Sequence, residues 1–298
     1  MIFKIFLIFI FFSSHLLGME PLVNSNWLKE KVCKAEFKVI EVGTSYNSFK
    51  NESIECANFT NFYTDGWRKG SDMLMPKAQE LSKIISDLNI TNSDNVVLYA
   101  KTASTFAVAE VTAIYFTFKY LGHENVAILD GGFPGFKKVN PMLIYPGENQ
   151  GKSKEMFKHK LNKKIYATEE DVYENQKNQL TLVDSREKDF YLGINKLEGF
   201  DYFGTLEGSL NLPIMWNMKS RGLYFNDYEK IRSIYKHLKI KNENKPIFYC
   251  YSGLESSLNW FVAHEILLYK NARLYNDSLF GWTKKKNNLS ILKKDKNI

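Results

Sequence analysis

The hydrophobic pattern of this chain alternates short apolar runs with amphipathic stretches of helical length. Residues 246–249 form an apolar run with the length of a buried strand, and residues 39–42 have the same length and are apolar apart from Glu41. Residues 76–88 and 258–269 have the periodicity of helices. Strands that alternate with helices predict a mainly parallel sheet with helices on both faces. The pattern therefore predicts the α/β class.

One unit of this pattern occurs twice. Residues 95–136 and 245–282 each read as a strand, a loop, an amphipathic helix, a second apolar strand and an aspartate-containing turn before an aromatic residue. Upstream of each copy, a helical stretch leads into another strand, at 39–42 and at 182–184. The chain is therefore predicted to contain two domains with the same fold.

The repeat gives approximate domain boundaries. We predict a first domain at 19–140 and a second domain at 160–298, and each has an ordinary domain size. The linker between them, at 141–159, contains prolines and glycines followed by lysines. In the second domain, Thr168 and the three acidic residues that follow it predict the start of a helix.

The N-terminus has the pattern of a secretory signal peptide. Lys4 precedes an unbroken apolar run at 5–12, and residues 13–18 are small or mixed. This run is too short to span a bilayer comfortably, although an uncleaved interfacial anchor is the alternative. We predict a secreted or secretory-pathway protein with no stable membrane association. A mitochondrial or cytoplasmic location is the alternative, but a mitochondrial transit peptide would be arginine-rich and amphipathic.

Composition fits two packed domains with a basic surface. The sequence is 44% hydrophobic and 15% aromatic, and its formal net charge is +7. The lysines are scattered, and no nucleic-acid recognition motif accompanies them, so we expect no nucleic-acid partner. A positive field of this kind attracts small anions.

The three cysteines divide into two in the first domain and one in the second. A Cys33–Cys56 disulfide would leave Cys250 as a free thiol, but sequence alone cannot place the two partners within bridging distance. Two unrelated cysteines are therefore the alternative. The five histidines are dispersed without ligand spacing, so we expect neither a metal site nor a cofactor.

Cys250 stands at the end of a strand, before a loop that contains Gly253 and before the start of a helix. Backbone N–H groups in such a loop form a nest for anions, and the helix N-terminus adds partial positive charge. Both favour a thiolate, so we predict a pKa below the ordinary value of about 8.5. The alternative is that Cys250 is a small buried hydrophobic residue. In the first repeat, Ala100 occupies this position.

Four motifs in order around Cys250 give residues 27–282 a resemblance to a known family. The chain resembles the tandem-domain sulfurtransferases, which comprise rhodanese and mercaptopyruvate sulfurtransferase. The motifs that carry the resemblance are G-H-E-N-V at 122–126, D-G-G-F at 130–133, D-S-R followed by Y-L-G between 184 and 193, and G-T-L-E-G-S-L-N-L-P at 204–213.

The resemblance implies a two-step sulfur relay through Cys250. A small anionic donor, 3-mercaptopyruvate or thiosulfate, would give sulfane sulfur to the thiolate, and a thiol acceptor such as thioredoxin or glutathione, or cyanide, would remove it. The first domain would be catalytically silent. The residues expected to bind the donor are Tyr251, Ser252, Gly253, Leu254, Glu255, Ser256, Asp184, Arg186 and Phe190.

Two further expectations concern individual residues of this site. Ser252 stands where mercaptopyruvate-type enzymes carry serine or threonine and rhodanese-type enzymes carry lysine, which favours mercaptopyruvate and a proton relay to the leaving enolate. Loop capping is the alternative role for Ser252. Asp184 and Arg186 are expected to fix the end of their strand as an ion pair.

The chain also departs from the family pattern. Phe190 stands where an arginine that grips the anionic donor is expected, and Thr205 replaces the histidine of the G-H-I-P-G motif. Loss of an anion clamp favours an alternative function on the same fold, a weakly active or non-enzymatic persulfide carrier or interaction protein. A cysteine phosphatase is a third class, but Ser256 stands where its C-x5-R loop needs arginine.

Overall fold

The computed structural model describes residues 19–219, 222, 224–284 and 293–294. The predicted signal peptide at 1–18 therefore lies outside the described residues. Within the described part of the chain, no helix combines the length and the apolar character that crossing a bilayer requires.

The first domain is built on a five-stranded parallel sheet with the strand order β1-β6-β5-β2-β4. A short antiparallel pair, β3 with β7, lies beside it. The strands are β1 (Leu22–Val23), β2 (Phe37–Val42), β3 (Ser53–Ile54), β4 (Asn58–Thr60), β5 (Asn95–Ala100), β6 (Val126–Leu129) and β7 (Ile144–Tyr145). The helices are α1 (Ser25–Lys29), α2 (Tyr46–Asn51), α3 (Ala78–Asp87), α4 (Thr105–Tyr120) and α5 (Gly132–Val139).

Successive residues of the central strands enter different cores, because side chains alternate across a strand. In β5, Leu98 packs with residues of α3 and α4, whereas Val97 and Tyr99 pack with residues of α1, α2 and α5. Helices thus cover both faces of the sheet. The prediction of a mainly parallel α/β sheet covered on both faces is confirmed for this domain.

The second domain repeats the architecture on a smaller sheet of four parallel strands, in the order β10-β8-β13-β14. Its helices are α6 (Glu169–Lys177), α7 (Lys188–Tyr191), α8 (Tyr228–His237), α9 (Leu254–Phe261) and α10 (Ser278–Lys284). Its strands are β8 (Leu182–Asp184), β9 (Tyr202–Phe203), β10 (Leu210–Asn211), β11 (Met218–Lys219), β12 (Tyr224–Phe225), β13 (Ile247–Tyr249), β14 (Arg273–Leu274) and β15 (Lys293–Lys294).

Two local predictions in the second domain have different outcomes. Thr168 caps α6 in a reciprocal capping box with Asp171, as its sequence predicts. The helical run expected at 258–269 instead begins at Leu254, and its end at Val262–Ile266 is a π-helical turn. The earlier start follows from Gly253, which caps the helix in a left-handed conformation with a φ of 81°.

The two domains share one hydrophobic core through α4 and α9. Tyr115 and Phe116 of α4 meet Phe261 and Trp260 of α9 edge to face, with ring centroids 4.9 and 4.8 Å apart, respectively. One hydrogen bond in the same interface joins Thr112 Oγ1 to Ser257 Oγ at 2.8 Å. The helix that follows the Cys250 loop is therefore held against the first domain.

The segment predicted as a linker is packed against the first domain. Phe157 is buried, and its backbone N–H donates to Ser86 Oγ at 2.8 Å. Asn149 Oδ1 accepts a hydrogen bond from the backbone of Phe59, also at 2.8 Å. Its prolines and glycines indicate irregular structure correctly, but they do not reveal that this structure is fixed by long-range contacts.

Cys33 and Cys56 form a disulfide with a Cα–Cα distance of 5.3 Å. Of the two alternatives that the sequence leaves open, the structure supports pairing. Cys250 is the free and buried cysteine.

Candidate active site

Cys250 directly follows β13, at the carboxyl end of a central strand of the parallel sheet, where ligands of such sheets bind. Its backbone is fixed by the turn that follows β14. The N–H of Cys250 donates to Ser278 Oγ at 3.1 Å, and its carbonyl accepts from Leu279 N–H at 3.1 Å. Two strands and one turn therefore position the thiol.

The loop after Cys250 curls around the sulfur. Ser256 Oγ donates to Cys250 Sγ at 3.5 Å, and the backbone N–H groups of Ser252 and Ser256 also point at the sulfur. These donors form the anion nest that the sequence predicts at a strand–loop–helix junction. Ser252 itself is partly exposed.

The predicted fall in the pKa of Cys250 is wrong. Burial raises the pKa of this thiol, and the neighbouring Glu255 carboxyl raises it further. The N–H and hydroxyl donors of the nest favour the thiolate, but their effect on the pKa is smaller than the cost of desolvating the charge. Burial and the Glu255 carboxyl therefore oppose formation of the thiolate, whereas the donors of the loop favour it.

Gly253 makes the tight loop possible. A side chain at this position would place Cβ 2.5 Å from the carbonyl oxygen of Asn276 and 2.8 Å from its Oδ1. The left-handed backbone of Gly253 adds a second reason for glycine. Asn276 is fully buried, so the loop and the turn after β14 form one packed unit.

Leu254 and Glu255 begin α9 and differ in what they contact. Leu254 packs against the core shared by the two domains. Glu255 is partly exposed and has ionisable neighbours, among which Asp184 raises its pKa and Arg186 lowers it. Burial is the largest effect, and the pKa of Glu255 rises to about 8. The Glu255 carboxyl in turn opposes ionisation of the Cys250 thiol.

Asp184 and Arg186 form the expected ion pair, and both side chains are almost completely buried. Arg186 Nε and Nη2 donate to the two carboxylate oxygens of Asp184 at 2.9 and 2.6 Å. Arg186 Nη2 also donates to the carbonyl of Gly204 at 2.7 Å. Since these acceptors engage the guanidinium, Arg186 supports the end of β8 rather than presenting a free charge to a donor.

A second polar network connects β8 to β13 below the thiol. Thr205 Oγ1 donates to Asp184 Oδ2 at 2.6 Å and lies 2.6 Å from the hydroxyl of Tyr249. Tyr249 in turn donates to Ser209 Oγ at 2.6 Å. Thr205, which replaces the histidine of the family motif, therefore has a structural role in fixing two strand ends.

Aromatic side chains form a wall beside Arg186. The guanidinium of Arg186 lies over the ring of Tyr251 at 4.5 Å from the centroid. Phe190 and Phe200 contact the same ring edge to face, with centroids 5.7 and 5.1 Å away, and Phe280 lies behind them. We call Phe190, Phe200, Tyr251 and Phe280 the aromatic wall. The structure therefore places Phe190 next to Tyr251, where the family pattern has a cation.

The first domain contains a structural counterpart of this site that lacks the thiol. Glu41 lies opposite Tyr99 in the register of β2 and β5 and accepts a 2.7 Å hydrogen bond from its hydroxyl. Asp184 lies opposite Tyr249 in the same way. Ala100, which ends β5, is thus the structural equivalent of Cys250, as the repeat predicts.

Three positioning residues were not found by sequence reasoning. Ser278 holds the backbone of Cys250, and Tyr249 with Ser209 extends the network around Asp184. Ser278 directly follows the aspartate-containing turn that both repeats share, which is the signal that would have marked it. No such signal marks Ser209, since its role depends on the position of β10.

Comparison with known proteins places this geometry in a family. A family model described as the rhodanese-like domain matches residues 24–139 and again 168–285. A protein of Mycolicibacterium smegmatis named as a thiosulfate sulfurtransferase is 27% identical over 282 residues, which cover 89% of this chain and 94% of that protein. A sulfur carrier protein of Thermus thermophilus is 26% identical over 275 residues, or 88% of this chain and 93% of the relative.

Solved structures agree with this assignment at the level of fold. The 3-mercaptopyruvate sulfurtransferase of Escherichia coli has a TM-score of 0.71 and 17% identity, with 87% of this chain and 99% of that chain covered. The resemblance inferred from the four motifs is therefore confirmed. This chain belongs to the rhodanese family and carries two rhodanese-like domains in tandem.

Proposed function

We propose that this chain, a sulfurtransferase of the rhodanese type, moves sulfane sulfur through a persulfide on Cys250. The observation that carries the proposal is the free thiol at the end of β13, surrounded by the N–H donors of Ser252 and Ser256 and the hydroxyl of Ser256. Such a nest stabilises a negative charge on the outer sulfur of a persulfide attached to Cys250.

The reaction proceeds in two steps. The Cys250 thiolate attacks the outer sulfur of thiosulfate, which releases sulfite, or the thiol sulfur of 3-mercaptopyruvate, whose C–S bond breaks to release the enolate of pyruvate. A thiol acceptor such as thioredoxin or glutathione, or cyanide, then attacks the outer sulfur of the persulfide and regenerates the thiolate. Both steps exchange bonds to sulfur and need no metal or cofactor.

We propose 3-mercaptopyruvate or thiosulfate as the donor. The partly exposed Ser252 supports 3-mercaptopyruvate, because a hydroxyl beside the thiol can pass a proton to a leaving enolate. Thiosulfate is supported by the names of relatives such as the Mycolicibacterium protein.

A persulfide carrier of low activity is the second candidate. The aromatic wall favours it, because Phe190 provides no charge for gripping a small anion. The Thermus relative, which is named as a sulfur carrier, agrees with this alternative.

We also propose that the protein matures in the secretory pathway. The Cys33–Cys56 disulfide supports this location, since such bonds persist in oxidising compartments.

Three assays on the same preparation test the proposed function. We expect pyruvate from 3-mercaptopyruvate or sulfite from thiosulfate in the presence of a thiol acceptor, and no hydrolysis of an aryl phosphate. A carrier would instead load one sulfur per chain without turnover. Phosphatase activity, or failure to load sulfur from either donor, would refute the proposal.

Substitution of Phe190 by arginine is expected to improve the use of anionic donors. A charge-assisted hydrogen bond contributes about 1.5–3 kcal/mol, and about 1.4 kcal/mol corresponds to tenfold in affinity. Phe190→Arg should therefore lower KM for 3-mercaptopyruvate or thiosulfate roughly ten- to hundredfold, as steady-state kinetics would measure.

Leu192→Arg is the matched control for this experiment. Leu192 is exposed on the same segment, so the variant adds the same charge outside the aromatic wall. A thermal melt of both variants separates binding from folding. If Phe190→Arg lost stability without any gain in KM, Phe190 would be a packing residue and not part of the donor site.

A further inference from the structure

The Cys33–Cys56 disulfide lies on the surface of the first domain, and the reaction proposed for Cys250 makes no use of it. Both of its cysteines are exposed. Cys33 follows α1, whereas Cys56 lies in the turn between β3 and β4, so the bond ties the end of a helix to a turn. A thiol in solution can therefore approach the disulfide without any opening of the core.

The backbone of both cysteines is in the left-handed region. Their φ values are 61° for Cys33 and 57° for Cys56. A residue with a Cβ atom adopts this conformation at an energetic cost, which a closed disulfide prevents it from relieving. Exposed disulfides between unfavourably held residues are typically labile rather than purely structural. Opening of the bond lets both residues relax, which favours thiol exchange at this site.

The segments next to the disulfide are anchored without it. Leu28 in α1 and Ala57, which directly follows Cys56, are both buried. The backbone N–H of Glu55 donates to the carbonyl of Leu143 at 2.9 Å and fixes the turn after β3 to the segment before β7. These contacts remain when the S–S bond opens, so exchange does not require the domain to unfold.

We propose that the Cys33–Cys56 disulfide is a reversible modification site at which small thiols exchange with the folded protein. The chemical class of the ligand is a low-molecular-weight thiol such as glutathione. Exchange couples the stability of the first domain to the surrounding thiols, because the closed bond constrains the chain between α1 and β4. This inference concerns a second site and does not depend on the function proposed for Cys250.

The exchange balances in two steps. The thiolate of the incoming thiol attacks Cys56 Sγ, a new S–S bond forms, and the electron pair of the Cys33–Cys56 bond passes to Cys33 Sγ. The intermediate has a mixed disulfide on Cys56 and a thiolate on Cys33. A second thiol then attacks the mixed disulfide. Two small thiols are thereby oxidised to one disulfide, the protein disulfide is reduced, and the two thiol protons end on the cysteines.

The charges next to the two cysteines favour one direction of attack. Lys34 directly follows Cys33, whereas Glu55 directly precedes Cys56. A neighbouring cation stabilises a thiolate, and a neighbouring carboxylate opposes it. The sulfur that forms the more stable thiolate is the better leaving group. We therefore expect Cys33 to leave as the thiolate and Cys56 to carry the adduct.

Reduction of the folded protein by glutathione tests the proposal. A Cys250→Ser background leaves Cys33 and Cys56 as the cysteines of the chain, so thiol counting reports on this disulfide alone. We expect the rate of thiol release to rise in proportion to the glutathione concentration and to be unchanged by urea below the unfolding transition. A rate that increased steeply with urea would show that the bond opens through unfolding, and would overturn the proposal.

Trapping of the intermediate tests the direction of attack. N-ethylmaleimide added early in the reaction should label the thiol of Cys33, and peptide mass spectrometry should find glutathione on Cys56. Circular dichroism of the same samples should show the spectrum of the folded protein. Glutathione mainly on Cys33 would overturn the assigned direction.

Two lysine substitutions separate the local charge from the overall charge of the protein. Lys34→Gln should slow the exchange about two- to threefold, the usual scale of an exposed charge interaction. Lys31→Gln is the matched control, since its ammonium lies over the ring of Trp27 at 5.6 Å from the centroid, and we expect an unchanged rate. Equal effects of the two substitutions would refute the role of Lys34 in stabilising the Cys33 thiolate.

Discussion

Replacement of Cys250 by serine is expected to abolish sulfur loading and turnover without unfolding the protein. Serine is close in size to cysteine, so it fits the loop, but its hydroxyl cannot form a persulfide. Intact mass after incubation with a donor should rise by one sulfur atom in the wild type and stay unchanged in Cys250→Ser.

The matched control removes the other two cysteines together. Cys33→Ser combined with Cys56→Ser eliminates the disulfide of the first domain but leaves Cys250 in place. This variant should lose stability, by about 2–5 kcal/mol for a typical native disulfide, and still load sulfur while folded. A sulfur adduct on Cys33 or Cys56 of the wild type would contradict the assignment of Cys250.

Among the single substitutions proposed for this protein, Arg186→Leu is expected to lower the free energy of unfolding most. The variant leaves the buried Asp184 carboxylate without its cation and the Gly204 carbonyl without its donor. Removing one partner of a buried ion pair typically costs about 3–5 kcal/mol, a large share of the stability of a domain. Chemical denaturation followed by circular dichroism would measure this loss.

Arg273→Leu serves as the comparison for Arg186→Leu. Arg273 pairs with Asp171 at 2.6 Å in the same domain, but both side chains are partly exposed. Exposed or partly exposed pairs contribute about 1 kcal/mol or less. Equal losses from the two variants would show that burial of the Asp184–Arg186 pair adds no stability to the end of β8.

The protonation state of Cys250 illustrates where sequence reasoning reaches its limit. A strand, a glycine and a helix start in that order predict the anion nest, and the nest is present. The direction of the pKa shift depends instead on burial and on the carboxyl of Glu255, which only the folded loop reveals. Local order along the chain thus predicts which donors surround the sulfur but not the balance of all the charges.

In the packing of the domains, too, some features can be predicted from the sequence and others cannot. The repeat predicts both sheets and identifies Ala100 as the counterpart of the nucleophile, because these features depend on patterns within one domain. The fixed course of the segment around Phe157 depends on contacts with α3, far away in sequence. Likewise, nothing in the sequence marks Ser209 as a partner of Tyr249.

The contact between α4 and α9 has a consequence for the history of this architecture. Duplication of one unit yields two copies that begin as interchangeable modules. Once Tyr115 and Phe116 of one copy pack against Trp260 and Phe261 of the other, each copy becomes part of the other's interior. The copy with Ala100 in place of Cys250 is then needed to cover apolar surface of the other copy, and neither half can be exchanged without exposing the surface that the other half covers.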